Sequence, residues 1–190
     1  MELDLPCQES KYHKQKMMEA SILFNLEKTT GELIEIISSL GQEELNETPF
    51  EGSWTAGQVG SHLLKSYGII EILNRPLPKT KRPAGEKIEQ IKAVFLNFDT
   101  KFKSSQIILP SDDPIDQEIL LNALKERIAQ IKEVIQTKDL AGICERIVVP
   151  GFGELTRLEW LHLILYHTQR HIHQLIHILN LVQKIQFRPS

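Results

Sequence analysis

Four long segments of this chain carry apolar residues at alternating spacings of three and four, which places them on one face of an α-helix. These segments cover about residues 11–40, 55–74, 115–138 and 156–184. Helices with one apolar face each can bury those faces only against one another. The pattern therefore predicts an all-α four-helix bundle, a fold class that often builds metal sites from facing helices.

The boundaries of these helices also have recognisable signals. Thr55 with Gln58, and Thr156 with Glu159, have the residue types and spacing of a capping box, so a helix is expected to begin after each threonine. Residues 42–53 contain a proline and a glycine and are predicted to form a loop.

One connection is much longer than the others. Residues 79–114 contain several prolines and are predicted to form a long crossover with a short helix near 86–98. A short extended piece with a turn is expected at about 147–153. With no repeat and no composition break, we expect one domain over residues 1–190, with its core at about 11–184.

Composition argues against two kinds of partner. The formal net charge is −3 and no basic run stands out, whereas a nucleic-acid binder needs a positive surface. No apolar run approaches the roughly 18 residues needed to span a bilayer, and the first residues do not form a signal peptide. We expect a cytoplasmic protein that binds neither nucleic acid nor membrane. Its cysteines, Cys7 and Cys144, are expected to be reduced thiols.

Helical phase separates the histidines of the last helix. His167 and His171 lie one turn apart on its apolar face, where both imidazoles can reach one metal ion. His173 and His177 have the same spacing but fall on the polar face. The same phase assigns further residues to the polar face, among them Glu159, His162 and Tyr166.

A zinc-like ion needs at least three protein ligands, and the second helix offers the third. His62 lies in the apolar run of that helix, where a buried imidazole must have its ring nitrogens satisfied. Three inward histidines can satisfy that need by binding one metal ion. The alternative is that each is a hydrogen-bonded core histidine, which is the commoner role of a lone histidine on an apolar face.

Two motifs resemble the DinB/YfiT-like superfamily of metal-dependent four-helix-bundle enzymes. One is Gly52-Ser53-Trp54-Thr55 leading to His62-Leu63; the other is His167-Thr168-Gln169-Arg170-His171-Ile172-His173-Gln174. The resemblance covers about residues 11–184. It implies a divalent metal ion held by His62, His167 and His171, and a homodimer formed through bundle faces. Zinc or nickel is expected first, and iron or manganese also suits such a site.

The resemblance leaves the reaction open. Superfamily members with assigned activities include enzymes that use low-molecular-weight thiols such as bacillithiol. A thiol-dependent S-transferase with a small-molecule substrate is therefore the first expectation, and a metal-dependent hydrolase is the alternative. A further alternative is a non-enzymatic stress-response bundle with a structural metal. An open ligand position favours an enzyme, and a fourth protein ligand favours the structural site.

No residue stands out as a general base. Glu159 is a poor candidate because of its predicted place on the polar face. Gln174, which flanks the buried arc beside His171, is a better candidate as the residue that hydrogen-bonds a metal ligand from behind. The long 79–114 connection departs from an average superfamily member, so substrate contacts from it are not carried over.

Overall fold

The computed structural model describes residues 5–100 and 105–186, which form a four-helix bundle with short additional elements. In chain order its helices are α1 (Leu5–Ser38), α2 (Gln42–Asn46), α3 (Ala56–Ser66), α4 (Ile70–Leu73), α5 (Ile88–Phe95), α6 (Gln117–Thr137) and α7 (Arg157–Gln186). A 3₁₀ turn at Tyr67–Ile69 joins α3 to α4, so these two elements act as one bundle helix. The predicted all-α bundle is confirmed. No helix in the described ranges combines the length and apolar character needed to cross a bilayer.

Both predicted capping boxes are present. The hydroxyl of Thr55 accepts from the backbone N–H of Gln58 at 3.0 Å, and the Gln58 side chain accepts from the backbone N–H of Thr55 at 3.0 Å. Thr156 and Glu159 make the same reciprocal pair at 3.2 and 2.9 Å. Each pair satisfies two backbone donors that the first turn of a helix leaves free.

Two boundary predictions were wrong. The first helix begins at Leu5 rather than near residue 11, and residues 42–46 form α2 rather than a loop. Helix α2 is held by a local contact at its first turn and by a contact with a distant part of the chain. The Glu44 carboxylate accepts from the backbone N–H of Gly41 at 2.7 Å, and the Asn46 amide bonds both backbone groups of Ile115 at 2.7 and 2.9 Å.

The predicted extended piece is one strand of a hairpin. Strand β1 (Ile143–Val149) pairs antiparallel with β2 (Gly153–Thr156), and Lys79 makes an isolated bridge to Gly142. The turn needs glycine, because Gly151 and Gly153 have φ of +81° and +70°. The hairpin is a minor addition to the bundle, and it leads directly into α7.

The core lies between the bundle helices. The apolar face of α6 is buried along its length by Leu120, Leu124, Ile128, Ile131 and Ile135. Helices α3 and α6 approach so closely that a Cβ on Gly60 would lie 2.8 Å from Leu120. Tyr67 donates to Thr168 at 2.7 Å, since the Thr168 hydroxyl already donates to the Ile164 carbonyl. This buried bond fixes the region after α3 against α7.

A buried guanidinium anchors the first turn of α7. Arg157 is 3% exposed and donates to the carbonyl oxygens of Leu73, Arg75 and Asp139. It therefore ties the end of α4 and the end of α6 to the start of α7. Cys144 on β1 is a buried free thiol, and burial raises its pKa to about 11 although the Arg157 charge acts in the other direction. The side chain of Cys7 lies outside the described residues.

Candidate metal centre

Three histidine side chains from two bundle helices meet inside the bundle. His62 comes from α3, and His167 and His171 come from successive turns of α7. The Nε2 atom of His167 lies 3.1 Å from Nε2 of His62 and 3.0 Å from Nε2 of His171. His62 and His171 are buried, and His167 is partly exposed. The structure thus brings together all three residues that the sequence singles out.

Two of the rings are held from behind by hydrogen bonds at Nδ1. His62 Nδ1 lies 2.8 Å from the carbonyl oxygen of Ile108, and His171 Nδ1 lies 2.9 Å from Oε1 of Gln174. A carbonyl and an amide oxygen only accept, so both rings carry their proton on Nδ1 and leave a lone pair on Nε2. Gln174, the residue expected to hydrogen-bond a metal ligand, accepts from His171. The Ile108 carbonyl was not anticipated.

The cluster stays neutral near pH 7. Burial lowers the pKa of His171 to about 4, with repulsion from His62 as a further cause. Burial also lowers the pKa of His167 well below its ordinary value, and both neighbouring histidines lower it further. The pKa of His62 is lowered by burial and by the Lys65 charge, against the effect of the Ile108 hydrogen bond. Neutral imidazoles are the form in which histidine binds metals.

The geometry suits a metal ion. A tetrahedral ion with metal–nitrogen distances of about 2.0–2.1 Å has ligand nitrogens about 3.3 Å apart. The two Nε2–Nε2 distances of 3.1 and 3.0 Å lie a few tenths of an ångström from that value. Hydrogen bonds among the three rings satisfy these Nε2 atoms less well than an ion would. His62 and His171 each present a lone pair at Nε2, so only His167 can carry a proton there, and that one proton faces two lone pairs. Among the described residues, no carboxylate or thiol joins the three nitrogens.

The family follows from the comparison with known proteins. The model of the DinB superfamily matches residues 25–175, a range that includes both histidine motifs. This chain belongs to the DinB superfamily. The solved structure of YfiT from Bacillus subtilis, described as a probable metal-dependent hydrolase with an unusual four-helix bundle topology, is similar to it with a TM-score of 0.54. The two share 18% identity, with 90% of this chain and 89% of that chain covered. No curated protein matches.

Aromatic side chains form the walls of the DinB histidine cluster. The Trp54 ring lies 5.0 Å from the His62 ring, and the Phe95 ring lies 5.8 Å from the His167 ring, nearly edge-on. Arg170 places Phe95 by donating to the carbonyl oxygens of Phe95 and Asn97 at 3.2 and 2.8 Å, where α5 ends. Two of the three imidazoles, those of His62 and His167, therefore have an aromatic ring packed against them.

A polar cavity lies beside the cluster. It has a volume of about 430 Å³ and is bounded by the 46–55 loop and by residues 112–114 of the crossover. Trp54 lines this cavity and also contacts the His62 ring, whereas none of the three histidines lines it. The cavity is large enough for part of a small molecule.

The remaining histidines of α7 follow the predicted phase in part. His173 and His177 are exposed, as predicted, and His173 stacks on Phe98 with ring centroids 4.3 Å apart. The prediction was wrong for Glu159 and Tyr166, which are 0% and 9% exposed, and His162 is partly buried. The first turns of α7 are covered on that side by the crossover and the hairpin, which a helical wheel cannot include.

Glu159 belongs to a separate, closed polar cluster. Arg82 donates to both carboxylate oxygens at 2.6 Å, and the backbone N–H groups of Lys87 and Thr156 donate at 2.9 Å. Burial raises the pKa of Glu159, but these hydrogen bonds outweigh burial and hold the pKa below its ordinary value. Every acceptor site of this carboxylate is in use, so it connects the crossover to α7.

Proposed function

We propose that this DinB protein binds one divalent metal ion through His62, His167 and His171 and acts as a metal-dependent enzyme on a small molecule. The observation that carries the proposal is the convergence of three neutral Nε2 atoms from α3 and α7. A shell of three imidazoles suits zinc or nickel, and iron or manganese can also occupy it.

An open coordination position supports an enzyme over a structural metal. Structural zinc sites use four protein ligands, whereas catalytic sites use three and leave one position open. Only three candidate ligands come together among the residues that the structure describes. A cavity of about 430 Å³ shares Trp54 with the histidine cluster, although none of the three histidines lines it. A stress-response bundle with a closed structural site fits these observations less well.

Thiol-dependent S-transfer is the reaction that the site supports best. When bound, the ion would supply Lewis-acid chemistry that lowers the pKa of a thiol or a water. A thiol ionises near pH 8.5 and needs little further activation, whereas water benefits from a general base. No carboxylate of the described residues joins the histidines, and Glu159 is saturated by its own donors. The substrate would be a low-molecular-weight thiol, and the second reactant a small electrophile.

Hydrolysis is the second candidate. The solved structure of YfiT, which has a similar fold, is described as that of a probable metal-dependent hydrolase. Three neutral imidazoles leave the full charge of the ion available, which suits the activation of water as well. Trp54 and Phe95 would then restrict water to the open position.

One assay separates the candidates. Purified protein is loaded with zinc or nickel, its metal content is measured, and it is incubated with bacillithiol or cysteine and a chlorodinitrobenzene electrophile. Ester and amide substrates are tested in parallel. The proposal expects about one ion per chain and thiol conjugation that a chelator abolishes. Hydrolysis without conjugation would reverse the order of the two candidates, and a protein that binds no metal would overturn both.

The oligomeric state of the protein is predicted separately from its reaction. A homodimer is implied by the family, and light scattering of the purified protein measures it directly. The three proposed ligands all come from one chain, so the metal site does not depend on the result.

A further inference from the structure

The crossover contributes an irregular segment that crosses the face of α3 at the metal centre. This segment, residues 105–111, is called the strap here. It contains one 3₁₀ turn, Gln106–Ile108, closed by backbone bonds of 3.1 and 3.3 Å. A single turn of this kind cannot maintain itself in water, because ordering its residues costs more than its few bonds return. Contacts with the rest of the molecule must therefore hold it.

Apolar burial contributes little to holding the strap, since Ile108, Leu109 and Pro110 are only half-buried. Its most apolar outward residue, Ile107, is 86% exposed, and no residue of the strap belongs to the buried core. The strap is held by hydrogen bonds from one face of α3 instead. Positions 58, 62 and 65 are spaced by four and three, so their side chains lie in one row along the helix.

Each side chain in that row donates to a backbone carbonyl at the strap. Gln58 Nε2 donates to Ser111 O at 3.1 Å, and Lys65 Nζ donates to Leu109 O at 2.6 Å. Between them, His62 Nδ1 donates to Ile108 O at 2.8 Å. The bond that orients the His62 ring is thus flanked on both sides by bonds that position the strap.

We propose that Lys65 is a positioning residue for the metal centre, which holds the strap so that the Ile108 carbonyl fixes the ring of His62 with Nε2 toward the ion. This inference rests on the proposed function. The coupling is reciprocal: closing the strap strengthens metal binding, and metal binding holds the strap closed.

The sign of the expected effect separates positioning from simple electrostatics. Lys65 carries a positive charge near His62, so its removal would by Coulomb's law strengthen the binding of a cation. Loss of positioning has the opposite effect, because His62 loses a fixed orientation. Weaker metal binding after loss of the lysine charge therefore cannot come from the charge itself.

The test compares wild-type protein with Lys65→Met, which keeps the length of the side chain but removes its donor. Zinc affinity is measured by competition with a chromophoric chelator, below the unfolding transition of each variant. We expect affinity to fall about 3- to 10-fold, at or below the lower end of the roughly 10- to 100-fold range for loss of a partner that orients a ligand, because Lys65 acts on His62 only through the strap. Lys65→Arg, which keeps the donor and the charge, should restore most of it.

Two further measurements make the result specific. Hydrogen exchange of the Ile108 and Leu109 amides should slow when zinc binds to the wild type, and should be faster in metal-free Lys65→Met. Lys125→Met on α6 removes an equal charge from an exposed position and should change neither quantity. Unchanged or tighter zinc binding in Lys65→Met, or unchanged exchange of the strap, would overturn this inference alone. A wild type that binds no zinc would overturn the proposed function together with it.

Discussion

Helix α7 carries two buried polar clusters that are built in opposite ways. Near its start, the Glu159 carboxylate receives a hydrogen bond at each of its acceptor sites and is neutralised by Arg82. Farther along, His167 meets two other imidazoles whose lone pairs point at it. The first cluster is complete without any ligand. In the second cluster, Nε2 lone pairs remain without a hydrogen-bond donor. Buried polar atoms that lack a partner within the protein are candidates for binding a ligand.

The largest effect should follow from a change in the cluster of His62, His167 and His171, which is called the open cluster in contrast to the closed cluster around Glu159. Replacing one of three metal ligands removes a bond to the ion, so His167→Ala should weaken zinc binding by more than about 100-fold, beyond the range for loss of a supporting partner. Elemental analysis and chelator competition measure this. His173→Ala, a matched change on the exposed face of the same helix, should leave metal content unchanged. Retention of the ion by the His167 variant would mean that the ligand set is wrong.

Breaking the closed cluster should affect stability rather than metal binding. Glu159→Ala leaves the Arg82 guanidinium and two backbone donors without their partner, which should cost about 3 kcal/mol of the free energy of unfolding. Urea denaturation measures the difference. Glu133→Ala, at an exposed position of α6, should change stability by less than about 0.5 kcal/mol. Equal effects of the two variants would show that the closed cluster contributes little.

A smaller effect tests how the open cluster is supported. Gln174→Ala removes the acceptor behind His171 and should weaken zinc binding about 10-fold with little change in unfolding. Gln174→Glu provides a stronger acceptor and should bind zinc at least as tightly as the wild type. Gln169→Ala removes an amide that bonds Thr29 instead, and should not alter affinity. If both alanine variants bind zinc like the wild type, Gln174 does not orient the ligand.

The smallest effect is the pH dependence of the closed cluster. The pKa of Glu159 is lower in the folded chain than its ordinary value, so the ionised form is favoured by folding. The ionised carboxylate therefore adds its full contribution to the free energy of unfolding when the pH is above about 4.5, the ordinary pKa of glutamate. This contribution is lost as the pH falls through the lower pKa that Glu159 has in the folded chain. The stability difference between wild type and Glu159→Gln should therefore be constant from pH 6 to 8 and shrink below about pH 4.5. A difference that grows in acid would contradict this assignment.

The sequence predicts the open cluster better than the closed one for a physical reason. His62, His167 and His171 lie on helix faces that pack against other helices, so apolar periodicity reports their direction correctly. Gln174 follows His171 by nearly one turn, and its contact is also a consequence of helical geometry. The four long helices themselves are predicted to within a few residues at most of their ends, since caps and prolines mark them.

The closed cluster and the strap depend on irregular chain. Helical phase places Glu159 on the polar face because it includes only the helix itself, whereas Arg82 and Lys87 reach this residue from the crossover. The Ile108 carbonyl is equally invisible, since any residue supplies a backbone oxygen. Trp54 stands in a motif of the sequence, yet its position against the His62 ring depends on how the preceding loop folds.

The buried thiol on β1 makes the protein convenient to follow in solution. Because burial raises the pKa of Cys144 to about 11 and covers the side chain, alkylating reagents should not reach it while the hairpin is intact. With Cys7 replaced by serine, Cys144 becomes the chain's single reporter of unfolding. The rate at which Cys144 is alkylated in such a protein would measure the rate at which the fold opens. Reactions of added thiols could also be measured in the folded protein without a signal from its own thiol.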